Sequence, residues 1–296
     1  EYGGVNFIDT YFRAGLYKFE KFPAVLGKET AGIIVTLPTD EKASSLAERS
    51  LAWVLSYSFR GKMSDVRLLG LYVVSPVPES VSTRTAAAAL LQGLTAVSFV
   101  EEAYPVKKGD TILIHTAAGG LGLLLTQLAK NVGATVIGTT STAAKAELAK
   151  ANGADHVILY PVEDTVKRVL ELTNGVGVDA VFDGVGKDTF DNNFKLIKRK
   201  GTIVSVGNAS GAVEPFSVLR LAEKNLRLLR PSLSNYVYTP EESAYYSHKL
   251  FELVAKGALK IAVFEEYPFT AEGVQKAQRD LTGGKTTGKL VVKIAQ

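Results

Sequence analysis

Short apolar runs alternate with amphipathic segments through the middle of the chain. The candidate strands are Thr111–His115, Ala134–Gly138, Asp155–Leu159, Val178–Asp183 and Gly201–Val206. In the segments between them, apolar residues such as Leu121, Leu125 and Leu128 recur at the spacing of one helix face. Strands that alternate with helices of this length form βαβ units, whose right-handed crossovers place helices on both sheet faces. The pattern predicts a doubly wound α/β domain with a parallel sheet.

The two flanks of this block have a different pattern. Residues 1–80 carry short β-branched and aromatic segments with Pro-containing turns, including SPVPES at Ser75–Ser80. A helix is predicted at Pro240–Gly257, and the terminal TTGKLVVKIAQ ends in a candidate strand. We therefore expect both ends to form one mostly β domain, joined to the inserted α/β domain by the Ala-rich helix Arg84–Ala103. The predicted segments are residues 1–93, 94–231 and 232–296.

Composition narrows the class of protein. The 296 residues suffice for two ordinary domains, and 46% hydrophobic with 22% charged residues is typical of globular proteins. The absence of Cys excludes disulfides, thiolate zinc sites and Cys nucleophiles. A net charge of +4 suits anionic ligands or nucleic acid without specifying either. No apolar run is long enough to cross a bilayer and no signal peptide is visible, so we expect a cytoplasmic protein without a membrane partner.

A cluster of small residues, Ala117–Gly122 (AAGGLG), directly follows the first of these strands. With Ala at the first position, it fits the A-x-G-x-x-G form of the dinucleotide fingerprint. Ala117 is small enough for the tight turn, Gly119 lets the backbone approach a pyrophosphate, and Gly122 lets the helix pack closely on the strand. An ordinary strand–helix turn is the alternative. The strand before, the helix after and the βα units downstream favour a cofactor site.

The end of the second strand indicates which cofactor binds. It reads Gly138-Thr139-Thr140-Ser141-Thr142, without the carboxylate that holds the ribose 2′-OH in NAD sites. Hydroxyls with a nearby cation suit a 2′-phosphate, and Lys145 lies one turn into the next helix. We therefore predict NADPH, with a solvated surface lysine as the alternative for Lys145. Two loops, 183–186 and 207–211, follow later strands on the same sheet edge and are placed to contact the nicotinamide and its ribose.

Several segments, in order along nearly the whole chain, resemble one known family. They are GVNFIDTYFRAGLY (Gly4–Tyr17), GKETAG (Gly27–Gly32), LLQGLTA (Leu90–Ala96), HTAAGGLG (His115–Gly122), GTTSTAAK (Gly138–Lys145), VGNASGAV (Val206–Val213), RPSL (Arg230–Leu233) and TTGKLVV (Thr286–Val292). The chain resembles the zinc-free quinone oxidoreductases related to ζ-crystallin, in the medium-chain dehydrogenase/reductase superfamily. The resemblance implies a Rossmann domain inserted in a GroES-like catalytic domain. It also implies hydride transfer from NADPH to a small quinone or α,β-unsaturated carbonyl.

Two departures from the wider superfamily are informative. Zinc-dependent relatives use a catalytic Cys and typically have GHE where this chain reads GKE, with Lys28 in place of His. The resemblance therefore implies a reductase without zinc. The family also has strands before NFIDTY, so we expect a truncated or processed amino terminus.

The resemblance implies roles for individual residues. Asn6, Asp9, Tyr11 and Arg13 line or support the substrate cleft, with Tyr11 and Asn6 as catalytic donors to the substrate oxygen and Asp9 ordering the loop in a pair with Arg13. A packed aromatic is the alternative for Tyr11, and His115 is interpreted as structural. Together with strand-end residues, the predicted cofactor-binding set is Asn6, Thr95, Gly119, Gly120, Leu121, Gly122, Thr139, Ser141, Lys145, Tyr160, Gly186, Gly207, Asn208, Ser210, Arg230 and Lys289.

Other functions remain open at this level. Alkenal and enoyl thioester reductases share the implied fold, and an inactive scaffold would retain NADPH without turnover. Some ζ-crystallin relatives bind AU-rich RNA, and the basic run KLIKRK (Lys195–Lys200) suits that partner, although such a run is more typical of a solvated helix end. The family also implies a homodimer.

Overall fold

The computed structural model describes residues 1–19, 22, 24, 26–33 and 74–294. The chain divides into two compact units, of which one comprises Glu1–Leu94 with Leu233–Gln296 and the other Thr95–Ser232. The roles predicted for residues 1–93, 94–231 and 232–296 stay predictions. The β segments predicted between residues 34 and 73 lie outside the described residues. Within the described ranges, no helix is both long and apolar enough to cross a membrane.

The secondary structure follows the predicted alternation. The described strands are β1 (Tyr2–Val5), β2 (Thr30–Ala31), β3 (Thr111–Ile114), β4 (Thr135–Thr140), β5 (His156–Leu159), β6 (Val178–Asp183), β7 (Ile197–Ser205), β8 (Arg227–Leu229), β9 (Val263–Pro268) and β10 (Lys289–Lys293). The described α-helices are α1 (Phe7–Arg13), α2 (Thr83–Ser98), α3 (Gly120–Val132), α4 (Ala143–Ala151), α5 (Thr165–Leu172), α6 (Phe190–Leu196), α7 (Pro240–Ala255) and α8 (Ala271–Thr282). A π-helical turn, Phe99–Ala103, extends α2.

The unit Thr95–Ser232 contains a six-stranded parallel sheet in the order β5-β4-β3-β6-β7-β8. Counted from β3, this is the 3-2-1-4-5-6 order of doubly wound dinucleotide-binding sheets. The fold-class prediction is therefore confirmed. Leu113, Ile137, Val181 and Ile203 are fully buried along the sheet and form its core with helix residues. The order reverses between β3 and β6, so the crevice beyond their carboxyl ends is where a ligand is expected.

Two details of this sheet differ from the prediction. The basic run Lys195–Lys200 was interpreted as a helix end, but α6 ends at Leu196 and the residues from Ile197 onward lie in β7. Ile197 is buried and pairs with Val178, while the lysines and arginine after it are at least partly exposed. The short edge strand β8 was missed because three residues carry too little periodicity.

The other unit joins the two ends of the chain in a four-stranded sheet ordered β2-β1-β10-β9. Strand β1 runs antiparallel to both β2 and β10, whereas β10 runs parallel to β9. Val5, Tyr267 and Leu290 pack with Ala277 of α8 in its core. This sheet therefore fixes the position of the segment that follows β1, where the predicted substrate residues lie.

Candidate active site

The glycine loop makes a close turn between β3 and α3. Thr116 adopts a left-handed conformation with φ of 54°, and its carbonyl accepts the N–H of Gly119 at 2.8 Å. A Cβ added to Gly122 would lie 2.3 Å from that carbonyl oxygen and 2.8 Å from Cα of Ala117. Glycine at position 122 therefore allows the first turn of α3 to approach the loop backbone.

The first turn of α3 is open to an anion. Gly119 caps the helix, and Gly120, Leu121 and Gly122 form its first turn, where backbone N–H groups have no acceptor within the helix. No acidic side chain occurs in this turn. Because three of these four residues lack a side chain, a phosphate could approach the amides and the positive end of the helix dipole. The loop fits the pyrophosphate of a dinucleotide.

The end of β4 places hydroxyls and a cation next to the glycine loop. Thr142 caps α4, and its Oγ1 accepts the N–H of Lys145 at 3.3 Å. Burial lowers the pKa of the Lys145 amine. Tyr160 directly follows β5, where its N–H donates to the carbonyl of Thr140 at 3.2 Å and its side chain is 51% exposed. Ser141, Lys145 and Tyr160 therefore share one sheet edge, which carries no carboxylate at the end of β4.

A buried polar network connects the strand ends at the crevice. Asp183 at the end of β6 accepts from Asn193 Nδ2 at 2.6 Å and from the Thr189 hydroxyl at 2.8 Å. Asn193 Oδ1 bonds with His115 Nε2 at 3.0 Å, and His115 Nδ1 bonds with Thr139 Oγ1 at 3.1 Å. The network therefore joins α6, β6, β3 and β4. The interpretation of His115 as structural agrees with this placement.

The hydrogen-bond partners determine the tautomer of His115. Asn193 donates to Asp183 through its nitrogen, so its oxygen faces His115 and must receive the Nε2 hydrogen. His115 Nδ1 is then an acceptor, which takes the Thr139 hydroxyl hydrogen. The oxygen of Thr139 is left to accept the N–H of Thr116 at 3.3 Å. Thr139, predicted to contact the cofactor, thus holds the left-handed residue of the glycine loop.

The loops after β6 and β7 are tied to each other. Asp183 Oδ1 accepts the N–H groups of Val185 and Gly186, at 2.8 and 3.1 Å. Gly186 has φ of +87°, and a Cβ there would lie 2.8 Å from the carbonyl oxygen of Gly211. Ser210 Oγ donates to the carbonyl of Val185 at 2.9 Å. Predicted residues Gly186 and Ser210 therefore meet where the two loops pair.

Arg230 extends this arrangement from the end of β8. Its Nη1 donates to the carbonyl of Ser205 at 2.6 Å. In the amide orientation that satisfies both ends of Asn208, Arg230 Nη2 donates to Asn208 Oδ1 at 3.2 Å and Asn208 Nδ2 donates to the carbonyl of Gly207. Gly207, Asn208 and Arg230 are thus brought together, as the prediction of one cofactor groove requires. Thr95 lies in α2, and its predicted contact with the cofactor stays a prediction.

In the unit formed by the chain ends, Asn6 begins α1 beside a buried ion pair. Lys289 on β10 and Glu29 before β2 form this pair, and their side chains are 1% and 0% exposed. Lys289 Nζ donates to Asn6 Oδ1 at 2.5 Å, and Asn6 Nδ2 donates to Glu29 Oε1 at 2.7 Å. The predicted cofactor contact of Lys289 stays a prediction, but its ammonium is held by these two side chains.

Asp9 orders the loop before β2, although its predicted pairing with Arg13 is wrong. Its carboxylate accepts the N–H of Asn6 at 2.9 Å and that of Gly27 at 3.2 Å. Arg13, one helical turn later, donates instead to Gln278 of α8 at 2.6 Å. Burial raises the pKa of Asp9 from 3.8 to about 6, with Glu29 raising it further and Lys289 opposing.

Tyr11 lies in an aromatic cluster on α1 and the turn that follows. Its ring meets the edge of Tyr17 with centroids 5.5 Å apart, and lies 6.4 Å from Phe7. Phe12 stacks on Phe19 at 4.6 Å, and the ammonium of Lys28 lies 4.8 Å from the Phe12 centroid. The half-buried Tyr11 is therefore a packed aromatic, and its catalytic role stays a prediction.

Part of this geometry has little signal in the sequence. Glu29, His115 and Asn193 were not predicted as site residues, and Asp183 was predicted only as part of the loop 183–186. All four are buried and belong to the two polar clusters described above. The available sequence signal at Asp183 was an acid directly before the glycines of a loop at the ligand-binding edge of the sheet. In the described ranges, no group of three or more His, Asp or Glu side chains could hold a metal. The zinc-free prediction remains a prediction.

Comparisons with known proteins identify the family. A family model described as zinc-binding dehydrogenase matches residues 120–250. The probable quinone oxidoreductase of Schizosaccharomyces pombe is 38% identical over 98% of this chain and 86% of its own length. The 2-haloacrylate reductase of a Burkholderia species is 33% identical, over 98% and 87%.

A solved structure gives the same result. Escherichia coli quinone oxidoreductase, crystallised in complex with NADPH, superimposes with a TM-score of 0.91 at 37% identity, covering 99% of this chain and 90% of that one. The fold, the glycine loop and these full-length similarities agree, and they confirm the resemblance found in the sequence. The chain belongs to the quinone oxidoreductase family of the medium-chain dehydrogenase/reductase superfamily.

Proposed function

We propose that this protein is an NADPH-dependent oxidoreductase that reduces small quinones or α,β-unsaturated carbonyl compounds. The observation that carries the proposal is the open first turn of α3 beside an acid-free β4 end with Lys145, in a member of the quinone oxidoreductase family. The complex of the E. coli relative with NADPH supports the choice of cofactor. The 2-haloacrylate reductase supports an activated alkene as the second substrate class.

Most residues of the proposed cofactor groove belong to the unit Thr95–Ser232. The amides of Gly120, Leu121 and Gly122 bind the pyrophosphate, and Gly119, whose own N–H is bonded to Thr116, lets it approach because it has no side chain. Gly122 is required because a side chain would strike Thr116. Ser141, Lys145 and Tyr160 hold the 2′-phosphate. Gly186, Gly207, Asn208, Ser210 and Arg230 contact the nicotinamide half, together with Thr95. Asn6 and Lys289 complete the proposed set, and Thr139 acts through the loop that it holds.

When bound, NADPH supplies a hydride. The substrate oxygen gains negative charge as it is reduced, so hydrogen-bond donors near it lower the barrier. Asn6 and Tyr11 are the proposed donors, with Asp9 and Arg13 ordering α1 around them. Neither donor needs to titrate near neutral pH, because solvent can deliver the final proton.

The reaction proposed for this chain does not use zinc. The chain has no Cys to serve as a thiolate ligand, and Lys28 occupies the place of a His typical of zinc-dependent relatives. We further propose a cytoplasmic homodimer, which light scattering after size-exclusion chromatography would test. AU-rich RNA remains a partner to be tested by gel shift across a salt series, because purely electrostatic binding would weaken steeply with salt.

The proposal is tested by NADPH oxidation at 340 nm with 1,4-benzoquinone and, separately, with 2-chloroacrylate, with NADH as the comparison cofactor and EDTA present. We expect quinone-dependent NADPH oxidation that survives EDTA. Lys145→Met should weaken NADPH binding about tenfold to a hundredfold, the value of one charge-assisted hydrogen bond, while NADH binding changes little. No oxidation with either substrate would refute the proposal, and equal losses for NADPH and NADH would refute the role of Lys145.

A further inference from the structure

The buried ion pair of Lys289 and Glu29 encloses the amide of Asn6. Lys289 lies on β10, Glu29 lies before β2, and Asn6 lies between β1 and α1, so three separate segments supply the groups. With side chains 1% and 0% exposed, the pair carries a large desolvation cost. A buried pair of charges is weak support for stability on its own. Its geometry around Asn6 indicates another role.

The two charges permit only one orientation of the Asn6 amide. An ammonium has donors only, so Lys289 must face Oδ1, to which it donates at 2.5 Å. A carboxylate has acceptors only, so Glu29 Oε1 must face Nδ2, which donates to it at 2.7 Å. Rotating the amide by half a turn would set oxygen against carboxylate and NH₂ against ammonium. Two hydroxyl groups in these places would not impose one orientation, because a hydroxyl can both donate and accept.

The carboxylate that directs the amide is itself held in place. Glu29 Oε2 accepts the N–H of Leu91 in α2 at 2.6 Å, while Oε1 receives Asn6 and Lys289. Gly4 on β1 packs directly against it, since a Cβ on Gly4 would lie 2.2 Å from Oε1. Both carboxylate oxygens are therefore engaged, and the space that the carboxylate occupies exists because residue 4 has no side chain.

This arrangement leaves one hydrogen of the Asn6 amide for another acceptor. One Nδ2 hydrogen goes to Glu29, and the second makes no further hydrogen bond to the residues that the structure describes. Donation from the ammonium to Oδ1 also withdraws electron density from the amide, which strengthens its remaining N–H as a donor. An oriented, polarised N–H is the kind of group that stabilises a developing oxyanion.

We propose that Lys289 and Glu29 are positioning residues, which orient and polarise the Asn6 amide so that its second N–H donates to the substrate oxygen. This inference rests on the proposed reductase function. It assigns Lys289 a task inside the protein, acting on the substrate through Asn6.

The test uses a charge-compensated variant because Lys289→Met alone leaves a buried carboxylate unpaired and can fail to fold. In Lys289→Met/Glu29→Gln both charges are removed. The glutamine oxygen takes the N–H of Leu91, so the glutamine NH₂ faces Asn6 and favours Oδ1, not Nδ2, toward residue 29. We expect the urea midpoint of this variant to return close to the wild-type value. Turnover of 1,4-benzoquinone should nevertheless fall at least tenfold in kcat, with the Kd for NADPH within about threefold. Recovery of kcat together with stability would overturn the inference.

Two further variants sharpen this result. Asn6→Ala should lower kcat by a similar factor. Adding Asn6→Ala to the compensated variant should lower kcat little further, because the compensated variant has already lost the same oriented N–H donor. Independent, multiplying losses would overturn the inference. The matched control is Lys276→Met/Glu265→Gln, which removes an exposed ion pair of the same charges between α8 and β9, 2.8 Å apart. This control should leave kcat unchanged.

A measurement without turnover separates the inference from the proposed function. In ¹⁵N–¹H spectra of the full chain, the Asn6 side-chain amide is assigned by its loss in Asn6→Ala. Any asparagine amide gives two proton shifts, because rotation about its C–N bond is slow. An amide held by one hydrogen bond to Glu29 should differ from an exposed asparagine in the separation of these shifts and in slower solvent exchange, and both should change in the compensated variant. Unchanged shifts would overturn the inference even if the enzyme is active. A wild-type protein with a fixed amide but no quinone-dependent oxidation would instead refute the proposed function.

Discussion

The buried carboxyl of Asp9 should make the protein less stable as pH rises from about 4 to 6. Burial raises the pKa of Asp9 in the folded chain from 3.8 to about 6. Across this window the folded state holds a proton that the unfolded state has released, so stability falls as pH increases. The pKa difference corresponds to about 3 kcal/mol of unfolding free energy, lost between the two pKa values and constant above them.

The charged groups around Asp9 set this value together. Glu29 raises the pKa of Asp9, whereas the N–H of Asn6 and the ammonium of Lys289 lower it, and burial outweighs them. Lys28 is also near enough for Asp9 to raise the pKa of its amine, although burial of that amine lowers it more. The net result is an acid that costs the folded protein free energy at neutral pH.

The assay is urea unfolding of wild type and Asp9→Asn at pH values from 4 to 7.5. The difference between the two unfolding free energies cancels most other titrating groups, so it should shift by about 3 kcal/mol in favour of the variant as pH rises. The absolute size of this free-energy difference is not diagnostic. The asparagine introduced at position 9 has one acceptor oxygen, whereas Asp9 uses two for the N–H groups of Asn6 and Gly27. A difference that stays flat across the window, or that moves in the opposite direction, would refute the reasoning.

Asp280→Asn is the control of opposite sign. The ammonium of Lys276 donates to Asp280 at 2.7 Å and, with the hydroxyl of Tyr267, holds the pKa of this carboxyl below its usual range. A carboxyl of this kind contributes stability above its unfolded pKa that is lost as pH falls. The difference between wild type and Asp280→Asn should therefore favour the wild type at higher pH, the reverse of Asp9.

Two further substitutions test the glycine loop and α3. Gly122→Ala places a Cβ 2.3 Å from the Thr116 carbonyl oxygen, so NADPH affinity measured by fluorescence titration should drop at least tenfold. Gly3→Ala, with a nearest contact of 3.4 Å, is its control, and binding by Gly122→Ala within twofold of wild type would contradict the fit. Thr126→Val should raise the unfolding free energy by about 1 kcal/mol, because the fully buried Oγ1 has no hydrogen-bond partner among the described residues. A loss of stability in denaturant unfolding would contradict that explanation.

The α/β core was predictable because its signals are local. A buried strand followed by small residues and a leucine-rich helix is specified within Thr111–Val132, and the same local alternation recurs through β7. The ends of elements were less predictable, as at β7, where Lys198 and its basic neighbours continue a strand whose first residue, Ile197, is buried. Three-residue β8 is held by pairing with β7, which no local pattern encodes.

The polar clusters could not be predicted, since they depend on contacts between distant residues. Lys289 and Asn6 are 283 positions apart, and His115 and Asn193 are 78 apart. No spacing rule connects such positions, although both Asn6 and Lys289 had been selected by resemblance. Their shared contact with Glu29, which explains why the Asn6 amide has one orientation, required the folded chain.

The pairing of β1 with β10 also determines when this protein can become functional during synthesis. Tyr2 pairs with Lys293 and Val5 with Leu290, so β1 emerges from the ribosome long before its partner β10. The parallel sheet of Thr95–Ser232 has no such dependence and can form earlier. Lys289 reaches Asn6 only when β10 has been made. A nascent chain in which β10 has not yet been made would therefore carry a folded dinucleotide loop while the Asn6 amide is still without its ammonium partner.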